Sequence, residues 1–361
     1  MKRLLLAAAG PLAVWIVVLL VVLETGLRMG GPFLPGTYRT GTLIEPDPVL
    51  GWRHINGVST WTRTPEWIVR VDLGPSGRRL PEVPVARVPG TTRIAVVGDS
   101  FVEGLQVERD TMFASRLGAA LRGPVEIVDE GVGGWGTDQE TLAFETRLAP
   151  FRPDVVVLAF AVANDVWDNA RALSARFEPT TKPYFESSID ALLLTPPAPT
   201  PLADRVQLTL ARSAAIAMLK SGLVPSRLDP GAGREQLRVL EAPAGEWVGA
   251  WRVTEAILAR FARSVREAGS RPLLVIIPEG CQVHADLCGT ESALSSSDLP
   301  QQRLLRAAEA LGMPAVDLLP PFRERAARGE RTFFRLDPHW NIAGQQLAAA
   351  VVAPAVEAER R

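Results

Sequence analysis

The hydrophobic and polar positions of this chain fall into three regimes. Residues 4–23 are apolar almost without interruption and carry no charge. Residues 30–90 are irregular, broken repeatedly by Pro, Gly and Arg. From Arg93 onward, short apolar runs alternate with stretches whose apolar residues recur at helical spacing. The short runs are 94–97, 125–128, 154–160, 273–277 and 315–318. Runs of this length that are apolar in both registers predict strands buried on both faces of a sheet. Helical spacing at 111–121 (Met112, Phe113, Leu117, Leu121), 247–268 and 298–311, and a last helix from Asn341, supplies the crossovers. The sequence Thr137-Asp138-Gln139-Glu140 has the form of a capping box and opens another helix. Strand–helix alternation of this kind predicts an α/β domain with a parallel sheet covered on both sides.

Two segments depart from the alternation. Residues 169–245 are Pro-rich and contain one helical stretch, 202–219, which predicts an insertion over one end of the sheet, either a cover or a surface elaboration. Residues 24–90 are either a tether or a docked β-extension. Trp52, Trp61 and Trp67 favour docking, because a free linker has little use for large apolar rings. The uncharged N-terminal stretch is long enough for a helix of roughly 30 Å, the thickness of a bilayer's hydrocarbon core. Lys2 and Arg3 precede it and no small-x-small cleavage site follows. This predicts an uncleaved single-pass anchor, with the chain after residue 24 on the periplasmic or cell-surface side. Lacking a polar face, that helix is expected to stand apart from the rest. The organisation is then a cytoplasmic tip (1–3), a transmembrane helix (4–23), a linker or extension (24–90), the α/β domain (91–353) and a tail (354–361).

Composition narrows the partners. With 361 residues, 47% hydrophobic, and a net charge of −1, the chain has ample core and no electrostatic reason to bind nucleic acid. Nothing specifies an oligomeric state, and no cofactor or metal is expected. Cys281 and Cys288 are the two cysteines, and an oxidising compartment makes a disulfide the leading reading. With His284 between them they would offer three metal ligands, short of a closed structural zinc site.

The chemistry begins where the first apolar run meets Gly98-Asp99-Ser100. Ser100 lies just past the carboxyl end of a buried strand, where open α/β sheets place their ligands. A serine hydroxyl needs a neighbouring base to act as a nucleophile at neutral pH. Of three histidines, His54 lies in the irregular segment and His284 between the cysteines. His339 alone has a carboxylate two residues away, Asp337, in Leu336-Asp337-Pro338-His339-Trp340-Asn341. Asp337 could hold one ring nitrogen and leave the other free for the serine. Acyl transfer also needs donors for a developing oxyanion. The backbone N–H of Ser100, Gly134 in a glycine-rich loop and Asn164 after the third apolar run are the candidates.

Taken together, these blocks resemble the SGNH (GDSL-like) hydrolase family, whose name is the order Ser, Gly, Asn, His. The resemblance covers residues 93–352. It implies a three-layer α/β/α, flavodoxin-like parallel sheet. It also implies Ser100 as nucleophile, Gly134 and Asn164 as oxyanion donors, and His339 with Asp337 as base and orienter. Phe101 stands where the family name has Leu, and Val162 where the third block often has Gly. The Asp-x-His spacing, one residue shorter than in many members, is similar to the branch that includes polysaccharide O-acetylation proteins. The expectation is a membrane-anchored serine esterase that hydrolyses a small-molecule or glycan O-acyl ester. The alternatives are an O-acyltransferase acting on an extracytoplasmic glycan and a non-catalytic binding protein on the same fold.

Overall fold

A computed structural model of the chain describes residues 2–30, 33–34, 37–175, 182–187, 191–223, 235–289 and 292–360. The remaining stretches of the 169–245 insertion lie outside the described residues.

The five apolar runs form one sheet: β1 (Thr92–Gly98), β2 (Val125–Gly131), β3 (Val155–Ala161), β4 (Arg271–Ile277) and β5 (Ala315–Asp317). Its order is β5-β4-β3-β1-β2, with every neighbouring pair parallel. This is the flavodoxin-like order, and it places a topological switch point between β1 and β3. Side-chain alternation builds a core on each face. Ile94 and Val96 of β1, with Val155 and Val157 of β3, pack against Phe113 and Leu117 of one helix (Phe113–Ala120) and Val352 of the last (Ile342–Glu359). Ala95 and Val97, with Leu158 and Phe160, face the opposite layer, where a helix at Glu246–Glu267 contributes Trp251, Leu258 and Phe261. Covering both faces explains why these strands read as continuous apolar runs.

Local details differ from the sequence expectation in instructive ways. The helix after β2 (Thr137–Ala143) is capped by Gly136, whose N–H donates to Gln139 Oε1. Thr137 instead spends its hydroxyl on Asp165, at 2.9 Å. The helical stretch 202–219 is two helices, α1 (Leu202–Leu210) and α2 (Ala214–Leu223).

The break between α1 and α2 involves the N-terminal helix, Lys2–Gly30. Its Pro11–Gly30 portion has a mean hydropathy of 2.1 and is unburied, long and apolar enough to cross a membrane by length and composition. It does not stand wholly apart. Glu24 accepts hydrogen bonds from Ser213 Oγ (2.8 Å) and from Ala214 N (2.8 Å), and Arg28 Nη2 donates to the Arg212 carbonyl at 2.6 Å. The first N–H groups of α2 have no partner within their own helix, and a carboxylate satisfies them while complementing the helix dipole. Glu24 and Arg28, in the last two turns of the apolar helix, supply these contacts.

Residues 38–72 form short antiparallel strands, among them Gly51–His54, Ser59–Arg63 and Ile68–Asp72, that lie against the domain. They meet the domain at the loop after β2, at the loop that carries His339 and at the 202–212 stretch.

Candidate active site

At the end of β1 the chain turns through Asp99 into a single helical turn, Ser100–Glu103. Asp99 caps it, with Oδ1 accepting from Phe101 N at 2.9 Å. This turn lies directly on the end of β2, where a Cβ at Gly131 would come 2.5 Å from the Glu103 nitrogen, so only glycine fits. Ser100 thereby projects from the switch point, and its own N–H lies outside the helical ladder.

His339 reaches this point from a loop closed by pairing of Phe333 with Trp340 and by the Phe334 N–H on the His339 carbonyl, 3.0 Å. His339 Nε2 lies 2.7 Å from Ser100 Oγ, and its Nδ1 lies 2.5 Å from Asp337 Oδ1. Asp337 Oδ1 also accepts the His339 backbone N–H at 3.0 Å, which ties the carboxylate's position to that of the ring. The loop rests on aromatic packing. Trp340 is fully buried, 4.9 Å from the Phe101 ring and 5.5 Å from Phe322. Phe101 stacks obliquely 5.1 Å from the His339 ring, so the departure from Leu at this position supports the imidazole. Asn341 closes the segment by capping the last helix, with Oδ1 accepting from Gly344 N at 3.1 Å.

Charge in the site favours an imidazole that readily takes a proton. Burial alone would lower the His339 pKa. The hydrogen bond and charge of Asp337 oppose it, aided by Asp99 and Glu103, and hold the ring above its ordinary 6.5. Burial pushes Asp337 up, but contacts with His339 outweigh this and hold it below the usual carboxylate range. An imidazolium cannot accept a proton from Ser100, so a base role for His339 would be lost as pH drops through its raised value. A pH profile of kcat/KM should show an acid limb centred above 6.5.

Gly134 sits in the loop after β2 with φ +78°, a left-handed conformation that glycine adopts without strain. Asn164 lies in the first turn of Val162–Asp168, after β3, and its Nδ2 donates to Asp99 Oδ2 at 2.7 Å. One amide hydrogen is thus engaged and the second remains for a ligand. Asp99 therefore ties Asn164 to the serine turn, a connection the sequence reading missed.

Further residues escaped that reading. Trp52 and His54, two apart on one strand, share a face. Trp52 Nε1 donates to the Gly133 carbonyl at 3.2 Å, and the Trp52 carbonyl accepts Trp135 Nε1 at 3.1 Å. His54 Nε2 lies 2.7 Å from Glu103 Oε1, and the Glu103 carboxylate also accepts the Gly133 N–H. On the opposite side, both Glu66 carboxylate oxygens accept backbone N–H groups of the loop carrying Asp337, at Arg335 and Leu336, each 2.7 Å. The extension holds both the glycine loop and the histidine loop. The Trp-x-His alternation at 52–54 was the one available signal.

Beneath the serine lies a buried acidic group. Burial first, then repulsion from neighbouring carboxylates (Asp165 and Asp99 on Glu140, Asp99 on Asp165), pushes Glu140 and Asp165 well above the ordinary carboxylate range, and Asp99 is raised chiefly by burial. Lys182 Nζ pairs with the neighbouring Asp138 at 2.6 Å, both side chains fully buried.

Ser100, Asp337 and His339 open into a cavity of about 630 Å³ whose other walls include Trp67, Gln106 and Lys220. Away from it, Cys281 and Cys288 are joined in a disulfide with Cα atoms 4.6 Å apart, and His284 faces Thr332 at 3.2 Å. Among the described residues no group of three or more His, Cys, Asp or Glu is gathered as a metal site requires.

Residues 249–361 match the family described as SGNH hydrolase-like domain, acetyltransferase AlgX. That stretch contains Asp337 and His339 but not Ser100, Gly134 or Asn164. A 128-residue segment is 30% identical to a probable alginate O-acetylase AlgJ of Pseudomonas putida, covering 34% of this chain and 33% of that protein. The chain thus matches about a third of that relative's length. Similar solved structures include the acetyl xylan esterase AlAXEase, at 13% identity and a TM-score of 0.43, covering 73% of this chain and 99% of that one. Another is TesA, at 13% identity and a TM-score of 0.40, covering 74% and 99%.

Proposed function

We propose that the chain, whose residues 249–361 match an SGNH hydrolase-like family, is a serine acyltransferase which moves an acetyl group onto a glycan hydroxyl. The carrying observation is the hydrogen-bonded series Asp337–His339–Ser100, with contacts of 2.5 and 2.7 Å. Ser100 Oγ attacks the acetyl carbonyl of the donor while His339 Nε2 takes its proton. The oxyanion is received by the N–H groups of Ser100 and Gly134 and the free amide hydrogen of Asn164. His339 then protonates the departing alcohol, leaving an acetyl ester on Ser100. An acceptor hydroxyl enters, gives its proton to His339 and takes the acetyl group, and the proton returns to Ser100.

Water in place of the acceptor makes the same machinery an esterase, the outcome put first on sequence grounds. Transfer is placed ahead of hydrolysis on the match to an acetyltransferase family and the similarity to a protein named as an O-acetylase. The N-terminal helix would tether the domain outside the cytoplasm, with resistance to carbonate extraction as its check.

The deciding experiment supplies p-nitrophenyl acetate with and without an oligosaccharide and weighs the sugar by mass spectrometry. Acetylated sugar that disappears with Ser100→Ala supports transfer. Free acetate alone, unaffected by acceptor, returns the reading to hydrolysis. Asn164→Ala removes one oxyanion donor and should lower kcat by about 10²–10³ with KM little changed, read from initial rates.

A further inference from the structure

A second cavity, about 460 Å³, lies on the far side of the glycine loop from Ser100. Gly133 forms part of its wall, and Glu103, whose carboxylate accepts the Gly133 N–H, forms part of the wall of the serine cleft. The Gly133–Glu103 contact therefore links the walls of the two spaces. The cavity's apolar surface includes the Trp52 ring, fixed in place by its bond to the Gly133 carbonyl, together with Leu208, Ile44 and Pro46. Its rim carries Asp204 and Gln207, and Glu45 completes it.

The helix Leu202–Leu210 that supplies Asp204, Gln207 and Leu208 buries none of its side chains fully. Core packing therefore does not explain its position. It is held over the cavity by a Thr42 N–H on the Ala211 carbonyl, 2.8 Å, and by Arg212 on Glu45, 2.9 Å. Asp204 and Gln207 are exposed at the mouth of this open cleft and have no side-chain hydrogen bond or ion pair among the described residues, so both are available to a ligand seated there. A flat aromatic floor with unspent hydrogen-bonding groups at its edge suits a ligand with one apolar face and a polar rim. A pyranose has that anatomy, with C–H bonds on one face and hydroxyls around its edge. The volume lies within the roughly 300–1,000 Å³ of small-molecule sites.

Charge selects among sugars. Glu45 is matched by Arg53 at 2.7 Å and by Arg212, whereas Asp204 has no cation partner among the described residues. The charged residues that line the cavity, Glu45 and Asp204, are both acidic and no cation is among its lining residues, which suits hydroxyl donors over a carboxylate or sulfate.

We propose that this cavity is a glycosyl subsite for a neutral sugar of the acceptor chain, seated on Trp52 and Leu208 with its hydroxyls on Asp204 and Gln207. The proposal rests on the glycan-transfer reading and adds to it a location and a charge class for the sugar. Because Trp52 also holds Gly133, the residue beside the candidate oxyanion donor Gly134, a sugar seated there touches the same indole that braces the acyl site.

The test separates the subsite from the transfer reading. Full-length Ser100→Ala protein in detergent is titrated calorimetrically with xylohexaose, cellohexaose and a hexameric oligouronate. Binding of a neutral hexaose that weakens about tenfold or more on adding Asp204→Ala or Gln207→Ala is the expected result, the scale of a lost hydrogen bond to a charged or buried partner. Val206→Ala, on the same helix but outside the cavity, is the folding control and should leave affinity unchanged. In the Ser100-containing protein the same two substitutions should raise the acceptor KM by a similar factor. Unaltered hexaose affinity in both variants, absent binding of either neutral hexaose, or tighter binding of the oligouronate overturns the subsite. Acetyl transfer that survives Ser100→Ala overturns the serine mechanism instead, and the calorimetric result still decides the subsite.

Discussion

Replacing Ser100 with alanine should lower kcat for acetyl transfer and for p-nitrophenyl acetate hydrolysis by about 10⁴-fold or more, the scale seen when a serine nucleophile is removed. The change deletes the proposed nucleophile, the Ser100 hydroxyl, 2.7 Å from the His339 Nε2 that would activate it. It leaves the fold in place, because Ser100 is the first residue of a helical turn whose cap is Asp99 and whose packing comes from Phe101 and Val102. The measurement pairs initial rates with labelling by a fluorophosphonate probe, which should modify the natural protein and not the variant. Activity and labelling that both persist would mean that the nucleophile is elsewhere.

Replacing Asp337 with asparagine should cost nearly as much, about 10⁴-fold in kcat, for a different reason. The carboxylate accepts from His339 Nδ1, which leaves Nε2 unprotonated and facing Ser100. An amide at that position can donate to Nδ1 and so stabilise the wrong tautomer, with the proton on Nε2. The same substitution removes the main influence that raises the His339 pKa against the effect of burial. The acid limb of the residual kcat/KM should therefore move to lower pH. This shift separates control of the imidazole from simple damage to the loop, which would lower the rate without moving the limb. Loss of rate with an unmoved limb would show that Asp337 acts only as a structural support.

The sequence by itself determined the layers. Strands covered on both faces must be apolar in both registers, and helices between them must show apolar residues at helical spacing, so β1 to β5 and their crossovers are written locally. It also marked Ser100, Gly134 and Asn164, because open α/β sheets concentrate chemistry at strand ends and each follows an apolar run, and His339, because Asp337 stands two residues away. The tertiary structure decided what lies around them. The contacts of Trp52 with Gly133, His54 with Glu103, Glu66 with Arg335 and Leu336, and Asp99 with Asn164 join residues far apart in the chain. Such hydrogen bonds leave no periodic trace, since one polar residue opposite another across a loop creates no pattern in either segment. The tryptophans of the extension pointed to docking, but nothing in the sequence showed that it braces two loops of the candidate site. For the same reason the N-terminal helix read as free-standing: its apolar length is local information, whereas the docking of Glu24 on Ser213 and Ala214 depends on where a distant helix begins.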